Sequence, residues 1–285
     1  MSRAARSLIA TLFPLVASSL LLEGQRIVVT GGGRGIGRAI ALICADEGAQ
    51  VAVLARSVDE LQAVAAEGAS RGARTMLTRV ADVTDESAVE AAIKSIAEEM
   101  GGIDVCINNA GGGCKKGPLH EQSAADLRAL LDLNVVSVML VSSAVMRHAM
   151  LRQGKGHIIN ISSKAGKVGL PTMGPYVASK FALEGLTATL AAEAQAAGGG
   201  IRVNSISPGM VDTKAFPKAP GRPGVRTAES IRDGLLYLLV GCGESSGNYL
   251  HVDEFDEAVA AGTPAAALKA IDETPFTCAT EDSTK

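Results

Sequence analysis

The chain has 285 residues, a formal net charge of −3 and 47% hydrophobic residues, which suits one large domain or two small ones with a substantial core. Aromatic residues make up only 3%, Trp is absent and no long basic block occurs, so neither a stacking platform for nucleic acid nor a polyanion-binding tract is expected. The five cysteines (Cys44, Cys106, Cys114, Cys242 and Cys278) are odd in number and scattered, which argues against a disulfide framework or a close-paired redox motif and favours a reducing compartment.

Residues 1–22 differ from everything after them. Arg3 and Arg6 lead an apolar run over residues 7–22, and no acid precedes Glu23. The pattern is that of a targeting segment or anchor, while its shortness and Pro14 argue against a stable membrane span. The alternative is an extension that packs on the fold. The expected location is the cytoplasm or an organellar lumen of reducing character.

From Arg26 onward, short apolar runs alternate with helical stretches. The pattern predicts strands over 26–30, 51–55, 74–80, 105–108, 157–161, 201–206 and 249–252, and helices over 36–47, 58–69, 85–100, 123–151, 175–197 and 227–241. Such alternation implies an α/β, Rossmann-type doubly wound parallel sheet of about seven strands in a single domain, with ligands at the carboxyl ends of the strands. The domain is placed at 23–262, and the polar tail 263–285 is expected to be loose.

The first strand runs into Thr30, Gly31, Gly32, Gly33, Arg34, Gly35, Ile36 and Gly37. Glycines between a strand and a helix let a diphosphate approach backbone amides and the helix N-terminus. Arg38 and Ala39 follow where a P-loop would carry lysine and a hydroxyl. The second strand ends in Arg56, where an acid would hold a ribose 2′-hydroxyl and a cation suits a 2′-phosphate. Arg34 supplies a second guanidinium, so NADP(H) is favoured over NAD(H). Asp82 and Val83 close the third strand, where Asp82 is placed to bond adenine; the competing reading is a helix cap.

Tyr176 and Lys180 stand four apart on one helical face, so the ammonium is expected to lower the phenol's pKa and make it an acid and base near neutral pH. Ser163 lies thirteen positions upstream.

The glycine turn, Asp82, Asn108-Asn109-Ala110-Gly111, Asn134, Ser163, Tyr176-x-x-x-Lys180 and Pro208-Gly209 occur in one order. Together they closely resemble the short-chain dehydrogenase/reductase family, over about residues 23–252. By that resemblance Asn109, Ala110 and Gly111 line the adenosine side of a nicotinamide cofactor, while Pro208, Gly209, Val211 and Thr213 wrap its nicotinamide end. Tyr176 would exchange a proton with a carbonyl or alcohol oxygen, Ser163 would donate to that oxygen, Lys180 would also bind the cofactor ribose, and Asn134 would hold a water. The implied activity is hydride transfer between NADPH and a carbonyl or alcohol. The alternatives are a non-catalytic NADP(H)-binding sensor or scaffold, or an epimerase or dehydratase on the same fold.

The family's usual Asp-Gly-Gly ending is replaced by His251-Val252-Asp253-Glu254. A homo-oligomer is expected, with dimer and tetramer both open. The loops 112–120, 164–175 and 213–228 contain no acid but carry Lys115, Lys116, Lys164, Lys167, Lys214, Lys218, Arg222 and Arg226, a pattern that steers anions toward a site mouth and leaves room for an anionic small-molecule substrate. The four histidines have no metal-ligand spacing, so no metal is expected. Asn160-Ile161-Ser162 matches a glycosylation acceptor inside an apolar strand and is expected to be buried.

Overall fold

A computed structural model describes residues 20–214, 217, 222–271 and the backbone of 277–278. Residues 1–19 of the expected N-terminal segment 1–22 and most of the tail beyond 271, together with Lys218, lie outside the described residues.

The elements follow the predicted alternation. Strand β1 (Arg26–Thr30) leads to α1 (Gly35–Asp46), β2 (Gln50–Ala55), α2 (Val58–Ser70), β3 (Thr75–Val80), α3 (Glu86–Met100) and β4 (Val105–Asn108). A long helix, α4 (Ala124–Gln153), is followed by β5 (Gly156–Ile161), the short β6 (Val168–Gly169) and α5 (Gly174–Ala196). Strand β7 (Ile201–Ser207), an irregular helix α6 over 228–241, β8 (Asn248–His251), α7 (Val252–Ala260), β9 (Leu268–Ala270) and β10 (Thr277–Cys278) complete it. Sheet order is β3-β2-β1-β4-β5-β7-β8-β9, and β6 pairs separately with β10. Neighbours are parallel except at β8–β9.

Alternation along each strand divides the core into two layers, because successive side chains leave opposite faces of a sheet. Ile27, Val29, Val51, Val53 and Ile107 join one layer with α1 and α6. Val28, Ala52, Leu54, Cys106 and Ile158 join the other with α3, α4 and α5. Burial on both faces explains why the strands read as continuous apolar runs. Helix ends are set locally: Ser57 Oγ accepts from the Glu60 amide at 3.3 Å, Asp85 Oδ1 from the Ala88 amide at 3.0 Å, and Ser123 Oγ from the Asp126 amide at 3.0 Å.

The expectation of a loose tail from residue 263 is corrected at its start. The sheet has an eighth strand, because residues 264–271 do not dangle: they form a 3₁₀ turn and then β9, antiparallel to β8, with Pro264, Ala267 and Ile271 buried. Their apolar residues outweigh the polar character of the tail as a whole. The stretch after β8 that departs from the family's ending forms α7, whose Val252 and Phe255, three apart, are buried against the core. Among the described residues α4 alone is long and apolar enough to cross a membrane; Val141, Ala144 and Val145 bury its inner face against α3 and the sheet. Asn160 is buried, as expected, in the middle of the sheet.

Candidate active site

The glycine turn, the ends of β2 and β3 and the loop after β4 enclose a cavity of about 510 Å³ at the carboxyl ends of the strands. Of the expected cofactor residues, Gly31, Gly33, Arg34, Gly35, Ile36, Gly37, Arg56, Asp82, Val83, Asn109, Ala110, Gly111 and Thr213 line it. Tyr176, Lys180, Pro208, Gly209 and Val211 do not. A Cβ at Gly37 would collide with the Gly31 carbonyl and the Asn109 amide, so the turn closes only on glycine. Asn109 Nδ2 donates to Thr30 O at 3.0 Å, and Thr30 Oγ1 accepts from the Asn109 and Ala110 amides, each at 3.0 Å. Thr30 thus ties the first loop to the fourth.

Helix α1 opens onto this cavity with no side-chain cap and no acid in its first turn, unlike α2, α3 and α4. Its free amides and positive end suit a diphosphate. A dinucleotide therefore fits the donor set: amides at α1, guanidinium groups at Arg34 and Arg56, and a carboxylate at Asp82. The hydrogen bonds from the Thr84 amide and hydroxyl, at 3.0 and 2.8 Å, hold the Asp82 carboxyl below its usual range, with Arg56 adding to the effect. Asp85, not Asp82, caps α3.

The sequence reading missed an acid. Glu60 lines the cavity and pairs with Arg34 at 3.1 Å, and Arg56, 72% exposed in its side chain, stands 3.7 Å from Asp82. No acid ends β2 in the sequence, but Glu60 lies three residues past the Ser57 cap, which turns it back toward the glycine turn. Both arginines meet carboxylates.

Beside this cavity α5 presents Tyr176 and Lys180, both buried. The Tyr176 and Ser163 side chains share a hydrogen bond. Burial pushes the phenol up, the Ser163 bond pulls it down, and the neighbouring Cys114 pushes it up again; the balance is upward. This reverses the expected direction. Lys180 Nζ donates to the Ile161 carbonyl at 2.9 Å and sits 5.9 Å from the Tyr176 ring centroid, so its charge is aimed at the backbone, and desolvation of the phenolate dominates. Burial also pushes Lys180 down to about 8, with Glu184 opposing.

Asn134 sits in a π-helical turn of α4, Asp132–Val136, the kind of local widening found at functional sites. Its Oδ1 accepts from the Gly112 amide at 2.8 Å, and its Nδ2 donates to Gly112 O at 3.0 Å and Ser179 Oγ at 2.9 Å. Both donors are used, leaving one lone pair for a water. Ser179 was legible only as a member of the Tyr-x-x-Ser-Lys run; its hydroxyl donates onward to Tyr176 O at 2.8 Å. Cys114, Leu170, Met173 and Val177 pack around Tyr176. Two of the expected mouth cations are not free charges: Lys167 is buried against Glu184, and Arg226 pairs with Asp253 and Asp256.

The sequence profile of the short chain dehydrogenase family matches residues 25–221. The chain belongs to that family. This short chain dehydrogenase is an oxidoreductase, and its relatives fit that class. It is 39% identical to a D-threitol dehydrogenase of Mycolicibacterium smegmatis, over 70% of this chain and 74% of that one. A crystal structure of a short chain dehydrogenase from Burkholderia cenocepacia in complex with NADP superposes with a TM-score of 0.71 at 34% identity, covering 81% of this chain and 96% of that one. An NAD+-bound xylitol dehydrogenase superposes with a TM-score of 0.72 at 30% identity, covering 81% and 98%. Relatives of the short chain dehydrogenase thus carry either dinucleotide.

Proposed function

We propose that this chain is an NADP(H)-dependent alcohol dehydrogenase or ketoreductase in which Tyr176 is the acid and base. The observation that carries this reading is the Tyr176–Ser163 hydrogen bond beside buried Lys180, in a chain whose cavity at the carboxyl ends of the strands fits a dinucleotide. When bound, the nicotinamide supplies hydride exchange with the substrate carbon. Tyr176 gives its proton to a carbonyl oxygen or takes one from an alcohol. Ser163 donates to that oxygen as negative charge develops on it. Lys180 keeps a cation beside the phenol, and Asn134 holds the loop after β4 in place.

Preference for NADP(H) rests on Arg34 and Arg56 at the cavity rim; a 2′-phosphate would take over the guanidinium groups now held by Glu60 and Asp82. The exposed Lys115, Lys116, Lys164, Lys214 and Arg222 keep an anionic substrate among the classes to test. A second copy is the proposed partner, with the exposed Val136 and Met139 of α4 as the apolar patch it would cover. Of the expected N-terminal segment 1–22, Leu22 packs in the core, and residues 1–19 are proposed to be a targeting or anchoring segment.

The test is a panel of neutral and anionic alcohols and carbonyls with NADPH and NADP+. Tyr176→Phe is expected to lower turnover of any active compound by about 10²–10⁴-fold while leaving NADPH affinity within about twofold. Undiminished turnover in the variant would refute the acid-base role. Substrate conversion without net cofactor use would instead point to an epimerase or dehydratase, and binding without turnover across the panel to a sensor or scaffold.

A further inference from the structure

Behind Lys180 lies a buried charged cluster that the proton exchange at Tyr176 does not use. Glu184 follows Lys180 by one helical turn on α5, so both face the same side of the helix. Glu184 Oε2 is 3.3 Å from Lys167 Nζ, with the two side chains 4% and 6% exposed. It also accepts from Ser205 Oγ on β7 at 3.1 Å. Oε1 is buried too and has no hydrogen-bond partner among the described residues.

Lys167 belongs to the turn that begins at Ser163. Its ammonium donates to the Ile271 carbonyl at 3.1 Å and stands 5.2 Å from the Tyr249 ring centroid. The neighbouring residue is Gly166, where a Cβ would lie 3.0 Å from both Glu184 Cγ and the Lys180 carbonyl. The turn carrying Ser163 is therefore pressed directly onto the Lys180–Glu184 step of α5.

A buried ion pair adds little net stability, because desolvation offsets most of the attraction. Its fixed charge nevertheless acts strongly on other buried groups, since screening by water is lost. Lys180 is such a group, with its ammonium donating to a neutral carbonyl. Burial by itself favours the loss of its proton, and Glu184 is the carboxylate that works against that loss.

We propose that Glu184 is a positioning residue for the active-site lysine: held by Lys167 and Ser205, its carboxylate keeps Lys180 charged and aligned beside Tyr176. This rests on the reading of Lys180 as part of the active site. The titratable groups that face Glu184 are Lys180 on its own helix, Lys167 from the turn after β5, and Tyr249 from β8, which in turn faces Asp253 and Glu254 of α7. Burial pushes the Tyr249 phenol well up, so it stays protonated through neutral pH. Lys167 pairs with Glu184 at 3.3 Å, and the charge that opposes loss of the Lys180 proton is that of Glu184.

The test follows Lys180 directly. In full-length protein labelled with ε-¹³C-lysine, the Lys180 resonance is assigned by its loss in Lys180→Met and titrated with pH. Glu184→Gln is expected to move its midpoint down by about one pH unit, and Glu184→Asp, which keeps the charge, to restore most of the shift. In activity, the alkaline limb of kcat/KM for any compound that turns over should move the same way, giving an about fivefold loss at pH 8. A role in packing alone would lower the melting temperature and leave the midpoint in place. If Glu184→Gln does not fold, Glu184→Gln/Lys167→Met is read instead, since it removes the buried pair together and the midpoint should still fall. An unmoved midpoint in the folded variant overturns the coupling. Full activity of Lys180→Met overturns the assignment of the lysine itself.

Discussion

Tyr176 and Lys180 show how much a motif conveys and where it stops. Their spacing placed both on one face of α5, and both are there. Spacing did not convey that the phenol would be pushed up by burial, because that depends on Cys114 and Leu170 arriving from the loops before α5 to pack with Met173 and Val177 at its start. Lys167 makes the same point: in sequence it belongs to an acid-free loop of exposed character, yet Glu184, seventeen residues on, draws it into the interior. Arg56 is the residue at which the proposed preference for NADP(H) is most directly tested. Arg56→Asp would place a carboxylate beside Asp82 and against a 2′-phosphate, with both lost attraction and repulsion acting. NADPH affinity should fall by at least about tenfold, or about 1.4 kcal/mol, with NADH affected far less. Fluorescence titration with both dinucleotides checks this, and equal affinities in the parent protein would remove the preference.

Helices and strands were the most legible level. Every predicted element exists with ends displaced by at most two residues, because caps such as Ser57, Ser123 and Gly101 (φ 71°) set boundaries locally. The missed helix, α7, had readable signs in Val252 and Phe255, three apart, and in Asp253 and Glu254 in its first turn. What no pattern disclosed is how elements are pinned to one another. Asn108 on β4 donates to Asn160 Oδ1 on β5 at 2.9 Å and to Ser142 on α4 at 3.0 Å. Asn160 donates in turn to Thr187 Oγ1 on α5 at 2.8 Å, and Thr187 to Leu183 O at 2.7 Å. Thr187→Val keeps the shape but leaves the Asn160 amide unsatisfied in the core, at a cost of about 1–3 kcal/mol. Urea unfolding should show this as a lower midpoint at unchanged slope; an unchanged midpoint would mean the chain of amides is not coupled to α5.

At the scale of the molecule, the order of the parallel strands follows from the alternation of elements and right-handed crossovers, and the cavity falls at their carboxyl ends. The start of the packed fold is equally definite. Leu22 is 1% exposed and its amide donates to Glu47 O at 2.8 Å, whereas Leu20 is exposed. Removing residues 1–19 should change the melting temperature by less than about 3 °C, equivalent to under ~1 kcal/mol, and leave turnover within about twofold. A calorimetric scan of the truncated protein checks this, and a larger loss would make the segment part of the core.

The antiparallel β9 gives the sheet a particular kind of ending. Without it, β8 would offer the open hydrogen-bonding groups of Asn248, Tyr249 and Leu250 to any extended chain, the usual template for sheet-to-sheet aggregation. The strand that covers them is only three residues long and carries Lys269 at its centre, ion-paired with Glu254 of α7. A short strand with a charge in the middle makes a poor template for further addition. The polar-looking tail thus acts as a gatekeeper: it stops the growth of the sheet at its own edge, and a chain cut back to Thr263 would keep its cavity while gaining a sticky margin.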